Sequence, residues 1–159
     1  MIPAFQTCPY TDFSSKPEAD AFRAALAELR ATIGRRHPLV IGGRTVTTER
    51  SFASTNPSDP TEVLGEFADA TVQDADAALA AAWAAFPGWA ATPVADRAAI
   101  LLRAAALMRK RRHLFSAAMV LEVGKTWAEA DGDTAEAVDF IEFYAREAVR
   151  WGAPQGTTS

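Results

Sequence analysis

Apolar residues recur along this chain with two different periods. Phe22, Leu26, Leu29 and Ile33 stand at steps of four, three and four, one stripe of a 3.6-residue helix. Ser15-Lys16-Pro17-Glu18 supplies the residue types of a capping box ahead of it, with Pro17 in the first turn. Gly34 follows as a residue able to turn left-handed, so a helix is predicted over about 15–34. The period then shortens. Leu39-Val40-Ile41, Arg44-Thr45-Val46-Thr47, Ser51-Phe52-Ala53-Ser54 and Glu62 to Ala68 are short runs separated by turn residues, among them Asn56-Pro57-Ser58-Asp59-Pro60. They predict a small β-ribbon over about 38–68, which is marginal without helices or another subunit to cover it.

From Thr71 onward the pattern is helical. Thr71 with Asp74 is a second capping pair, and Val72, Ala75, Leu79, Ala82, Trp83 and Phe86 follow at helical spacings until Pro87-Gly88, where the helix is expected to stop. A third helix is predicted from Thr92-Pro93, with Ile100, Leu101, Ala104, Leu107 and Met108 as its buried face. A fourth carries Leu114, Ala118 and Leu121 and closes at Gly124. The fifth runs from about 127 to 150 with an apolar stripe of Ala137, Phe140, Ile141, Tyr144, Ala148 and Trp151. Residues 1–14 have no period and read as an extended arm that lies on another surface and is floppy alone. Residues 152–159 form a small polar tail. The fold class expected is α+β and mostly helical: a helix, a β-ribbon and about four helices, without the βα alternation that builds a parallel dinucleotide-binding sheet.

Composition narrows the possible functions. With 159 residues the chain suits one domain, and 49% hydrophobic with 23% charged residues is a globular mixture rather than a disordered one. The abundance of alanine favours helix and close helix packing. A net charge of -4 and a pI near 5.2 argue against a phosphate-backbone binder, so nucleic acid is not an expected partner. A single Cys8, no signal-like N-terminus and no apolar run long enough for a bilayer predict a reducing, cytoplasmic setting without membrane contact.

Few residues suggest chemistry. Gly124-Lys125-Thr126 copies the end of a phosphate loop, but Met119 stands where its first Gly is needed, and a helix ending at Gly124, with Lys125 facing its carbonyl end, is the better reading. Asp131-Gly132-Asp133 lacks calcium-loop spacing. His37 and His113 have no partner at ligand spacing, so no metal site is expected. Cys8 has no visible base to activate it and nothing to hold its arm. Arg109-Lys110-Arg111-Arg112-His113 is read as cations at a helix end, solvated or facing an acidic neighbour in a larger assembly, rather than as a nucleic-acid patch. Trp83, Trp89, Trp127 and Trp151 read as core or interface anchors. Glu129, Asp131, Asp133, Glu136, Asp139 and Glu142 form a series without a cation, whose members repel one another and mostly face water. Glu136 stands apart, with Phe140 and Phe143 four and seven residues on, which puts it at the edge of an aromatic face. An exposed structural role for it remains the plain alternative.

Taken in order, Pro38 to Gly43, Asn56 to Val63, Ala104 to Arg109, Glu122 to Lys125 and Ala135 to Arg146 resemble the N-terminal part of the aldehyde dehydrogenase family. Pro9-Tyr10-Thr11-Asp12-Phe13 and the Glu136 helix resemble its 1-pyrroline-5-carboxylate dehydrogenase branch more narrowly. The resemblance runs from about Phe5 to Trp151 and covers about the first third of such an enzyme. It implies NAD-dependent oxidation of glutamate gamma-semialdehyde to glutamate in proline degradation, by a homo-oligomer acting on a small-molecule aldehyde. It also implies that the catalytic Cys, Glu and Asn and the NAD site lie outside this chain, which alone is expected to be inactive; no residue here matches a catalytic, cofactor-binding or metal-binding position. Only Glu136 matches a family position of the substrate pocket, where a carboxylate faces the amino acid's ammonium group. The tail from Gly152 departs from the family pattern and suggests a truncated or frameshifted reading frame, or a fragment. A non-catalytic module that joins full-length aldehyde dehydrogenase subunits is the rival expectation.

Overall fold

A computed structural model describes residues 4–152. The elements run α1 (Lys16–Arg30), β1 (Arg35–His37), β2 (Leu39–Ile41), β3 (Arg44–Val46), β4 (Ser51–Asn56), β5 (Asp59–Ala68), α2 (Val72–Ala91), α3 (Val94–Lys110), α4 (Arg112–Val123) and α5 (Trp127–Gly152). The fold is the mostly helical α+β arrangement expected. Residues 153–159 of the expected tail lie outside the described residues, as do residues 1–3 of the arm.

Helix α1 starts at the expected place by a different device. Ser15 makes no side-chain cap; its N–H donates to the Asp12 carbonyl at 3.1 Å, and its own carbonyl accepts from the Ala19 N–H at 3.0 Å. Glu18 is drawn away to His113, 3.2 Å distant, so the predicted capping box does not form. The helix also ends at Arg30 rather than near 34. Gly34 does adopt a left-handed φ of 80°, but there it turns the chain into β1 while its N–H donates to the Leu64 carbonyl at 2.9 Å.

β1 itself was not foreseen, because Arg35-Arg36-His37 carries no apolar alternation. It is held by the backbone, parallel to β5, with Arg35 opposite Gly65 and His37 opposite Phe67. The His37 ring stacks on Phe67 at a centroid distance of 4.7 Å. β4 pairs antiparallel with the other side of β5, giving a sheet of order β1-β5-β4, while β2 and β3 form a separate hairpin. The turn between β4 and β5 is closed by the Asn56 side chain, whose oxygen accepts from the Ser58 N–H at 2.9 Å and whose amide donates to Glu62 at 2.7 Å. Glu62 also accepts from Arg30 at 2.8 Å; that hydrogen bond, followed by the one from Asn56, holds its carboxyl below the ordinary value.

The core gathers around Phe22, Ala25 and Ala117, with Phe13, Leu26, Leu29, Leu114, Val120 and Trp127 packed on it. Phe22 meets Trp127 at 4.7 Å and Phe13 at 5.2 Å between ring centroids. The arm residue Phe13 is therefore part of the core, and the arm lies on this chain's own helices.

Thr71 and Asp74 do form their capping box, with the Asp74 N–H donating to Thr71 Oγ1 at 3.2 Å and the Thr71 N–H to Asp74 Oδ2 at 2.9 Å. Helix α2 then runs through Pro87 to Ala91 instead of stopping. Proline forfeits one hydrogen bond inside a helix without forbidding the next turn, and the Thr92 hydroxyl closes the end by donating to the Gly88 carbonyl at 2.9 Å.

The predicted inner face of α3 is also corrected. Ala98 and Ala105 are buried, whereas Ile100, Leu101 and Leu107 are 44, 45 and 56% exposed. Helix α3 packs on α5, whose buried residues are Ala130, Asp131, Thr134, Ala135, Val138 and Ala145. Small side chains at a helix contact permit close axes, so the alanine faces turned inward and the larger apolar side chains outward. The stripe of α5 follows suit, with Phe140, Tyr144 and Trp151 at 52, 61 and 61% exposure. No helix among the described residues is long and apolar enough to cross a membrane.

Candidate functional site

The site is organised by α5, whose start repeats the capping logic of α2: Thr126 Oγ1 donates to Glu129 at 2.8 Å, and the Thr126 N–H donates to the same carboxylate at 3.1 Å. These bonds, the hydroxyl's first, hold the Glu129 carboxyl low. Gly124 ends the preceding helix in the left-handed region at φ 72°, as expected. Lys125 does not face the carbonyl end; it pairs with Asp133.

The carboxylates of α5 were expected to repel one another and face water. The fold instead gives five of the six a partner. Glu129 is the cap just described, and Asp133 takes Lys125. Asp139 accepts from the Cys8 N–H at 2.8 Å, and Glu142 takes Arg109 at 2.8 Å and Arg146 at 3.3 Å. Asp131 is 1% exposed and lies in the deepest network. Arg112 Nε donates to it at 2.6 Å and Arg112 Nη2 reaches its other oxygen, while the Thr11 N–H and hydroxyl donate at 2.8 and 2.7 Å. Burial pushes the Asp131 carboxyl up, but the bonds from Arg112 and Thr11 outweigh it and leave the group below the ordinary carboxylate value.

Three members of the basic run find partners within the chain, while Lys110 and Arg111 are exposed. Arg109 and Arg112 face the acids of α5, His113 faces Glu18, and Arg112 also donates to the Pro9 carbonyl. The arm is thus pinned at Cys8, Pro9 and Thr11. Cys8 is 6% exposed, with its Sγ 3.5 Å from Arg112 Nη1; the arm that was expected to be unheld is held.

Glu136 is the sixth acid. It is exposed, and it has no hydrogen-bond or ion-pair partner among the described residues. It lines a groove of about 840 Å³ between the arm and α5, together with Tyr10, Gly132, Asp139 and Phe140. Phe140 and Phe143 both contact the Tyr144 ring, at 6.0 and 5.3 Å between centroids, and Phe143 also meets Phe5 at 5.7 Å. Of the two rings predicted beside Glu136, Phe140 lines its groove while Phe143 packs on Phe5 and Tyr144, and the arm adds Tyr10. Sequence reasoning missed that second wall, since Tyr10 and Glu136 meet only through the fold. A usable signal was present in Arg109 and Arg112, which stand three apart, and in the acids they meet, Glu142 and Asp131, which stand eleven apart, about three turns along one face of α5.

A match to the aldehyde dehydrogenase family spans residues 45–158. The chain belongs to that family. It is 45% identical over 150 residues to the 1-pyrroline-5-carboxylate dehydrogenase of Geobacillus sp. (strain WCH70), and 47% identical over 149 residues to 1-pyrroline-5-carboxylate dehydrogenase 2 of Bacillus subtilis (strain 168). Each match covers 94% of this chain and 29% of the relative. Among solved structures, the 1-pyrroline-5-carboxylate dehydrogenase from Thermus with bound NAD superposes with a TM-score of 0.93 at 46% identity, covering 99% of this chain and 31% of that one. The Mycobacterium tuberculosis enzyme bound with NAD gives 0.88 at 33% identity, covering 99% and 30%. The aldehyde dehydrogenase fold is therefore represented here by a little under a third of its usual length.

Proposed function

We propose that this chain forms one wall of the substrate site of an aldehyde dehydrogenase that oxidises L-glutamate gamma-semialdehyde, and that Glu136 receives the substrate's ammonium group. The observation that carries this reading is the contrast along α5: five carboxylates are occupied and the sixth stands free at an aromatic-edged groove. An anionic oxygen beside aromatic faces suits a primary ammonium. The 1-pyrroline-5-carboxylate dehydrogenase relatives support the substrate class.

The chemistry itself is assigned to parts of the enzyme other than these residues. Thioester-forming aldehyde oxidation needs a reactive thiolate, an oxyanion cradle and a base for water. The chain's one cysteine, Cys8, is buried where the arm docks, with its amide on Asp139, which does not suit attack on an aldehyde. NAD is supported by the NAD-bound relatives, and it serves such an oxidation by accepting hydride. The described residues do not fit it, because the parallel strands β1 and β5 are joined through other strands rather than by a crossover helix whose N-terminus could face a pyrophosphate.

The test pairs ligand binding with activity. Titration of the isotopically labelled chain with L-glutamate, followed by amide chemical shifts, is expected to move signals around Glu136. Glutarate, which lacks the amine, is expected to move them much less, and Glu136→Gln to abolish the difference. Equal response to both ligands overturns the role of Glu136. The purified chain is expected to show no NAD-dependent oxidation of glutamate semialdehyde, and turnover would overturn the assignment of the chemistry elsewhere.

A second reading is favoured by α2, which buries none of its residues and exposes Leu79, Trp83 and Phe86 at 59, 66 and 56%. On that reading the chain is a non-catalytic module that binds full-length aldehyde dehydrogenase subunits. Co-purification with a full-length relative, lost in a Trp83→Glu variant, is its expected signature.

A further inference from the structure

The Asp131 network is more elaborate than helix packing requires, and its geometry relates it to the groove. Asp131 receives two hydrogen bonds from Arg112 on α4 and two from Thr11 on the arm. Arg112 in turn donates to the Pro9 carbonyl. Residue 10 is therefore clamped on both sides by one buried ion pair. Its own ring is not consumed in packing, since Tyr10 is 77% exposed. The ring lies over Gly132, where an added Cβ would be 4.0 Å from Cε1. Gly132 is one helical turn before Glu136, on the same face of α5. The ring thus lies against α5 in the groove that Glu136 also lines.

We propose that the arm is a positioned wall of the Glu136 groove, in which Tyr10 supplies an aromatic face to an amino acid's ammonium group while Asp131 and Arg112 act as positioning residues that hold that face in place. This rests on the reading of Glu136 given above and extends it to Tyr10, Asp131 and Arg112, to which the family resemblance assigned no role. Exposed tyrosine is an inexpensive place to bind a cation in conformational terms, because the clamp on its neighbours has already fixed the backbone. Asp131 itself is not a ligand group. It is buried, and its oxygens are already occupied.

The experiment is the L-glutamate and glutarate titration of the full 159-residue chain, followed by amide shifts at Tyr10, Gly132 and Glu136. Native protein is expected to prefer glutamate. Tyr10→Ala weakens glutamate binding by about two- to fivefold, the range of a cation–π contact at an exposed site, and Tyr10→Phe restores it, because the ring and not the hydroxyl is required. Asp131→Asn weakens it similarly and also speeds hydrogen exchange at the Cys8 and Thr11 amides. Should that variant fail to fold, Thr11→Val loosens the arm while keeping the Asp131–Arg112 pair and is expected to weaken binding in the same direction. If Tyr10→Ala binds glutamate as native does while Glu136→Gln loses its preference, the wall is wrong and the Glu136 reading survives. If native protein shows no glutamate-dependent shift at these three amides, both are overturned.

Discussion

The two sides of this molecule treat their helices in opposite ways. Helix α5 is built into the chain: its inner face is mostly alanine, threonine and valine, two of its acids are matched by cations of α3 and α4, and the arm is tied across it. Helix α2 is capped as carefully at its start, yet buries nothing. The difference separates local from tertiary stabilisation. A capping box decides where a helix begins, whereas packing decides whether it contributes to a cooperative fold.

The sharpest test of this contrast is a pair of large-to-small substitutions. Phe22→Ala, in the fully buried centre, is expected to destabilise the chain by about 3–5 kcal/mol, whereas Trp83→Ala on α2 shifts it by about 0.5 kcal/mol or less. Urea unfolding followed by circular dichroism measures both. A large loss for Trp83→Ala would mean that α2 is covered in solution, and the contrast would break.

Acid should act on the α5 side next. Because the folded Asp131 carboxyl is held low, the stability it contributes is complete above the ordinary carboxylate pKa of about 3.9 and is lost as pH falls through the lower folded value. Amide exchange at Cys8 and Thr11 is expected to rise over that acid range before α2 changes. Simultaneous loss on both sides would remove Asp131 as the specific cause.

A smaller effect is expected at Gly124, where left-handed backbone coincides with Pro57 Cγ at 3.1 Å from an added Cβ. Gly124→Ala should cost about 1–2 kcal/mol, again read from urea midpoints. The smallest change has the opposite sign. Gly132 lies inside α5 with room for a methyl group, so Gly132→Ala is expected to stabilise by about 0.5–1 kcal/mol, seen as a modest rise in thermal midpoint.

Helix starts and stops with local causes were legible in the sequence: the Thr71 cap, Gly124, and α5 from Trp127. Strand β1 was hidden because its pairing is through backbone to a strand some thirty residues on. The inner faces of α3 and α5 were misjudged for a related reason. Periodicity identifies an apolar stripe, but in an alanine-rich chain a second, smaller-residue stripe is available, and close approach of the helices favours it. Glu136 was singled out by its aromatic neighbours and by family resemblance. Its distinction from the other acids was not, since Cys8 and Thr11 lie 131 and 120 residues from the carboxylates they satisfy.

The placement of Trp127 gives this chain an optical consequence. Its indole is packed between Phe13 of the arm and Phe22 of α1, with the Arg23 guanidinium 5.5 Å from the ring centroid, while Trp83, Trp89 and Trp151 are 66, 48 and 61% exposed. Replacing those three by phenylalanine would leave one fluorophore whose emission reports the docking of the arm: blue-shifted while Phe13 shields it, and moving to the red as the arm departs and water reaches the ring.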